Sequence, residues 1–186
     1  MTAADGRVVF LDRDGVINTR YPPYVDRWED LVLYPWSLQA LRLLSGQSDY
    51  LFLMTNQSGV ERGKFTEEEL QRLLTRMHER FAESGISFTE LYYCPHHPGS
   101  GCGCRKPDPG MLTRAADRYQ LDLNSAWVVG DKDVDVLAGA AVGAHTILLK
   151  NRGKVDAELS PAQPTAVRAN LLEAAKTIVG SWEDRS

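Results

Sequence analysis

Two aspartates, Asp12 and Asp14, stand at the end of the apolar run Val8-Val9-Phe10-Leu11 and are followed by Gly15. Carboxylates at i and i+2 after a buried strand reach one pocket if the backbone turns there, and glycine tolerates the conformations such a turn needs. The pair could supply a carboxylate nucleophile and an acid/base group. The same pattern also closes a strand as a surface Asx-turn. A calcium EF-hand loop is excluded, because Val16 stands where a third oxygen ligand is required and no matching glutamate follows. A second acidic group follows Val129-Gly130, at Asp131, Asp133 and Asp135. Asp133 reads as an acidic complement to a helix N-terminus. Asp131 reads with Asp12 and Asp14 as an oxygen site suited to Mg²⁺, which prefers a few carboxylates with waters and phosphate oxygens.

Two further segments carry phosphate chemistry. In Thr55-Asn56-Gln57-Ser58-Gly59, a hydroxyl and a run of backbone N–H groups suit phosphate oxygens, although the composition is also that of an ordinary turn. In Cys104-Arg105-Lys106-Pro107, adjacent cations are either solvated surface or a grip on a phosphoryl group. The stretch Gly59 to Phe65 imitates a P-loop. It is rejected, because only three residues separate its glycines and Phe65 replaces the metal-binding hydroxyl.

The three cysteines, Cys94, Cys102 and Cys104, fall within one short loop that also holds His96 and His97. An odd, clustered set is a poor disulfide framework. Cys94, His96, Cys102 and Cys104 offer a closed Cys3His tetrahedron for structural Zn²⁺, with Gly99, Gly101 and Gly103 letting the loop wrap. An inert or reactive cysteine loop is the bland alternative. His96 fits the motif better than His97. Such a zinc would fix the loop that presents Arg105 and Lys106.

The elements expected to position these groups are short β-rich runs alternating with amphipathic helices. Strands are expected at Val8–Leu11, Tyr50–Met54, Leu91–Tyr93, Trp127–Val129 and Thr146–Leu149. Helices are expected at Ser37–Leu44, from the capping box Thr66/Glu69 to Gly85, at Pro109–Tyr119 and Asp133–Ala141, with a final helix over about Thr165–Trp182. That alternation predicts an α/β, Rossmann-like three-layer sandwich with a mainly parallel sheet. Ligands of such sheets bind outside the carboxyl ends of the strands, where Asp12, Thr55 and Asp131 are expected to converge. The 186 residues suit a single domain. A net charge of -4 and a pI near 5.6 argue against a nucleic-acid or acidic-membrane binder. No apolar run approaches a membrane span and Met1–Gly6 is not a signal peptide, so a cytoplasmic location is expected.

Asp12/Asp14, Thr55, Lys106 and Gly130-Asp131…Asp135 occur in the order of the four motifs of the haloacid dehalogenase (HAD) superfamily of phosphohydrolases, which the chain resembles over roughly Val8 to Leu149. The resemblance implies the HAD fold with a minimal cap. It implies attack by Asp12, acid/base work by Asp14, and Thr55 and Lys106 on the transferring phosphoryl group. Mg²⁺ would be held by Asp12, the Asp14 backbone carbonyl and Asp131, with Asp135 orienting Lys106 or the metal shell. Within the superfamily the cysteine loop resembles two subfamilies, the heptose 1,7-bisphosphate 7-phosphatases and the histidinol-phosphate phosphatases. Thr55 to Lys64, Tyr24-Val25 and Pro109-Gly110-Met111 favour the first. The five residues between His96 and Cys102 match the second, and the segment Arg20 to Tyr24 is lengthened. The first resemblance implies a small phosphorylated metabolite as partner, a sugar bisphosphate by preference, with Tyr24, Asn56, Gln57, Ser58, Arg105 and Lys132 around it. Arg105 would read the distal phosphate. A monomer is expected. A phosphotransferase would use the same Asp12, and a non-catalytic binding protein would have lost a motif; none is lost.

Overall fold

The computed structural model describes residues 6–20, 24–150 and 163–183. Six strands, β1 (Val8–Leu11), β2 (Tyr50–Asn56), β3 (Glu90–Cys94), β4 (Trp127–Gly130), β5 (His145–Leu149) and β6 (Ala166–Arg168), form one sheet in the order β3-β2-β1-β4-β5-β6. Every ladder is parallel. The helices are α1 (Ser37–Gln47), α2 (Glu67–Glu83), α3 (Gly110–Tyr119), α4 (Asp133–Ala140) and α5 (Leu171–Glu183).

Both faces of the sheet are covered, which is why its central strands are apolar at every position instead of alternating. Val9 and Leu11 of β1 point to one side, with the apolar stripes of α1, α2 and α5. Val8 and Phe10 point to the other, with Met111, Leu112 and Ala115 of α3 and Ala138 of α4. This is the three-layer α/β sandwich. Its longest helix, α2, begins where the capping box predicts: Thr66 Oγ1 accepts from Glu69 N–H at 3.2 Å, and Glu69 Oε2 accepts from Thr66 N–H at 2.7 Å. Leu70, Leu73, Leu74, Met77 and Phe81 then bury one face.

Two expectations change. Thr55 is expected after β2, but the strand runs on through Asn56, its last residues pairing with Tyr93 and Cys94. The tail is not helical from Thr165: Ala166–Arg168 is an edge strand beside Ile147–Leu149, and the helix starts at Leu171. Three half-buried residues carry no periodic signal, and only the exposed edge of β5 makes them a strand. The residues 21–23 of the lengthened segment lie outside those described. Among the described residues no helix is long and apolar enough to cross a membrane.

The topology fixes where a site can form. From β1 the chain steps outward through β2 to β3, then returns to place β4 on the other side of β1. The neighbouring carboxyl ends of β1 and β4 therefore flank a switch point, the usual crevice of open α/β sheets.

Candidate active site

Asp12 is the first residue beyond β1, and its backbone N–H is held by the Val129 carbonyl of β4 at 3.0 Å. That bond places its carboxyl group at the crevice. Asp131 leaves β4 directly beside it, and Asp135 lies in the first turn of α4, where its Oδ2 accepts from Lys132 N–H at 3.1 Å. Oxygens of Asp12, Asp131 and Asp135 lie within 4.8 Å of one another. The approach is permitted by Gly15: a Cβ there would come within 2.0 Å of Asp131 Oδ2, and the glycine has φ +92°.

Such a concentration of buried negative charge is stable only with counter-ions. Lys106, 3% exposed, supplies one. Its ammonium donates to Asp12 Oδ1 at 2.8 Å and to the Met54 carbonyl at 2.9 Å, and it pairs with Asp135 Oδ1 at 2.6 Å. Arg20 supplies another. Its Nε donates to Asp131 Oδ2 at 2.8 Å, a second nitrogen bonds Asp131 Oδ1, and the guanidinium lies 4.0 Å from Asp12 Oδ2. Burial lifts Asp12 to about 6 against the pull of Lys106. Burial would depress the Lys106 ammonium, but Asp12 and Asp135 outweigh it and hold the pKa above its ordinary value. Asp131 is raised, by burial first, with Arg20 opposing.

Asp14 faces a different set of partners. Arg13, fully buried, grips it with Nε at 3.1 Å and a terminal nitrogen at 2.9 Å, and Asn18 and Gln57 each donate to it at 2.9 Å. Burial alone would raise its pKa; the Arg13 charge and these hydrogen bonds bring it below the ordinary carboxylate value. Its side chain stands apart from the Asp12–Asp131–Asp135 oxygens.

A cavity of ≈ 470 Å³ opens over these groups. It is lined by every catalytic and substrate-contact candidate of the sequence: Asp12, Asp14, Thr55 and Lys106, with Tyr24, Asn56, Gln57, Ser58, Arg105 and Lys132. Thr55 is buried and its Oγ1 accepts from Gln57 Nε2 at 2.8 Å. Arg105 is held by a hydrogen bond to the His96 carbonyl at 3.0 Å, and Pro98–Cys102 form the adjoining wall. Phe65 packs inward against Gly59, where a Cβ would meet its ring at 2.2 Å, and makes an edge contact with Tyr24. The P-loop imitation is thus a packing loop.

The cysteine loop gathers four ligand atoms. Cys94 Sγ lies 3.5 Å from His96 Nδ1, 3.6 Å from Cys102 Sγ and 3.1 Å from Cys104 Sγ; Cys104 Sγ lies 3.4 Å from both His96 Nδ1 and Cys102 Sγ. A zinc tetrahedron with Zn–S bonds of about 2.3 Å has S···S edges of about 3.8 Å, so this donor set fits a closed zinc site with little adjustment. No sulfur pair is at disulfide distance. His97 turns instead to Glu61, whose carboxylate accepts its backbone N–H. The hard oxygens of Asp12 and Asp131 fit Mg²⁺ equally well, with Gly15 leaving them room.

Sequence reasoning missed Arg20, Arg13 and Asn18. A lone arginine or asparagine in a loop has no signature; only Arg13, locked between the two aspartates of the motif, had a position that could have marked it.

Known proteins resemble this chain along most of its length. Residues 103–174 match the family model described as HAD-hydrolase-like. The D-glycero-beta-D-manno-heptose-1,7-bisphosphate 7-phosphatase of Pseudomonas putida is 37% identical over 93% of this chain and 99% of its own length. The protein of the same name from Vibrio cholerae is 41% identical over 86% of this chain and 89% of its own. The crystal structure of D,D-heptose 1,7-bisphosphate phosphatase from B. bronchiseptica, complexed with magnesium and phosphate, superposes with a TM-score of 0.85 at 35% identity, covering 94% of this chain and 98% of that one.

Proposed function

We propose that this chain, which belongs to the HAD-like hydrolases and within them to the heptose 1,7-bisphosphate 7-phosphatase family, removes the 7-phosphate of D-glycero-D-manno-heptose 1,7-bisphosphate. The observation that carries the reading is the buried Asp12–Lys106–Asp135 array at the floor of a cavity whose wall presents Arg105. The relatives named above support the substrate, and histidinol phosphate is not favoured.

Asp12 attacks phosphorus through a carboxylate oxygen, the bond to the sugar oxygen breaks, and an aspartyl-phosphate forms. With a pKa near 6, Asp12 is ionised at neutral pH. Asp14 protonates the departing oxygen, then takes a proton from the water that hydrolyses the intermediate. Its grip by Arg13 and Gln57 suits the base half, in which it is a carboxylate. Lys106 and Thr55 hold the phosphoryl oxygens where negative charge gathers. Mg²⁺, when bound by Asp12, the Asp14 carbonyl and Asp131, supplies positive charge that shields the carboxylate from the phosphoryl oxygens. Arg105 offers the distal phosphate a bidentate partner and would repel the cationic amine of histidinol phosphate. Tyr24, Ser58 and Lys132 complete the substrate surroundings. One domain over residues 1–186, a monomeric state, a cytoplasmic location and a small phosphorylated metabolite as the partner, without nucleic acid, belong to the same reading.

Asp12→Asn is expected to lower turnover by about 10⁴-fold or more with the fold intact by circular dichroism. Side-by-side rates with heptose 1,7-bisphosphate and histidinol phosphate test the substrate. Near-parental activity of the variant would remove the mechanism, and a preference for histidinol phosphate would replace the substrate while leaving the mechanism.

A further inference from the structure

Asn56 and Gln57 line the cavity, and both side chains bond to catalytic candidates or their backbone. Asn56 ends β2, and its amide pairs with the backbone of Lys106 in both directions. Nδ2 donates to the Lys106 carbonyl at 3.0 Å, and Oδ1 accepts from the Lys106 N–H at 3.1 Å. This is the exchange two strand residues make, carried here by a side chain across 50 positions of sequence. Gln57, 5% exposed, directs one nitrogen at two groups: Nε2 donates to Thr55 Oγ1 at 2.8 Å and to Asp14 Oδ2 at 2.9 Å. Its own backbone N–H is fixed to the Cys94 carbonyl at 2.7 Å. A glutamine amide nitrogen has two N–H bonds, and these two acceptors use both.

We infer that Asn56-Gln57 is a positioning pair that sets the mutual register of Lys106, Thr55 and Asp14, and that it acts on the reaction through these three groups. The three groups arrive from a loop after β3, from β2 and from the turn after β1; Asn56 bonds the first, and its neighbour Gln57 bonds the other two. Lys106 in particular sits on irregular backbone, where nothing in a ladder would fix its height above the sheet. The Asn56 amide supplies that ladder. A displacement of about 1 Å in such a group costs roughly 100-fold in rate.

The inference rests on the phosphatase reading above, and its test separates the two. Asn56→Ser, Asn56→Asp, Gln57→Met and Gln57→Glu, made in the full chain with Mg²⁺, are compared on heptose 1,7-bisphosphate and on p-nitrophenyl phosphate, which has no distal phosphate. Loss should fall on kcat, roughly 10- to 100-fold, by the same factor on both substrates, with KM for the bisphosphate little changed. Gln57→Glu should be slower than Gln57→Met at equal melting temperature, because a second carboxylate would face Asp14. Asn56→Asp should be slower than Asn56→Ser, because it turns an anion on the Lys106 carbonyl. Arg105→Ala is the contrast, losing the bisphosphate selectively. A selective loss of the bisphosphate, or a rise in its KM at constant kcat, in the Asn56 or Gln57 variants would overturn the inference. Where Asn56→Asp does not fold, Asn56→Ser carries the same comparison. If Asp12→Asn remains active, the phosphatase mechanism has failed; if it is inactive and the two-substrate ratio shifts, only the positioning role has.

Discussion

Lys106 and Arg20 divide the work of neutralising three carboxylates, and they do so differently. Lys106 is almost without solvent and is shared by Asp12 and Asp135, so it is a fixed part of the floor. Arg20 is 30% exposed at its side chain and engages Asp131 from the cavity side. The space between them is kept by the absence of one carbon at Gly15. Gly15→Ala is expected to displace Asp131 and to weaken Mg²⁺ binding at least about tenfold, measured by titration calorimetry on the substrate-free protein; unchanged affinity would mean that the Gly15 approach is not what holds Asp131 in place. At this scale the sequence was informative about residues whose type is itself chemical. Asp12, Thr55 and Asp131 stand out by falling at or near strand ends, and Lys106 by following the cysteine loop, and it is their occurrence together and in order that carries meaning. Their partners stand out less: Asn18 and Arg20 acquire meaning only from what the folded chain brings beside them, and Arg13 has only its place between the two aspartates to mark it.

Among the elements, the loop from the end of β3 to the start of α3 has no helix or strand of its own and carries Arg105 and Lys106. Cys94 is both the last residue of β3, in register with Asn56, and a member of the cysteine cluster. The Cys102 thiol is pulled down to about 6, chiefly by a hydrogen bond from Ser100, toward the thiolate form that ligates metal, while burial raises Cys94 and Cys104. A zinc bound by Cys94, His96, Cys102 and Cys104 would add a second hold on this backbone beside the Asn56 amide. Removal of zinc by a chelator is expected to reduce kcat/KM by roughly 10- to 100-fold, with the far-ultraviolet circular dichroism of the sheet and helices retained. Full activity with no zinc by metal analysis would show that the loop holds its shape unaided. The helices were legible wherever one face is apolar and a cap is present, as in α2. The edge strand β6 was not, since its identity comes from β5, and β2 ran further than its apolar run because Thr55 and Asn56 pair with β3. The ligand set of the cysteine loop was readable from spacing, the choice of His96 over His97 included, and the turn that sends His97 to Glu61 agrees with it.

In the whole molecule, the order β3-β2-β1-β4-β5-β6 makes β1 the meeting point of two halves. Alternating elements in the sequence announce a parallel sheet covered on both sides, but not which strand turns back; that choice locates the crevice and is made by packing. The first strand pairs on one edge with β2 and on the other with Trp127–Val129, more than a hundred residues later in the chain. A chain ending before Trp127 is therefore expected to be insoluble and to lack a cooperative thermal transition, since an apolar strand keeps an open edge. A soluble, monomeric fragment that melts cooperatively would contradict this. The same arrangement governs when the protein becomes reactive during synthesis. The ribosome delivers Asp12 94 residues before Lys106, and Asp131 and Asp135 later still. Contacts of such long range form late in folding. A nascent chain thus carries an inert carboxylate, and hydrolytic power switches on only when the second half of the sheet has closed against the first.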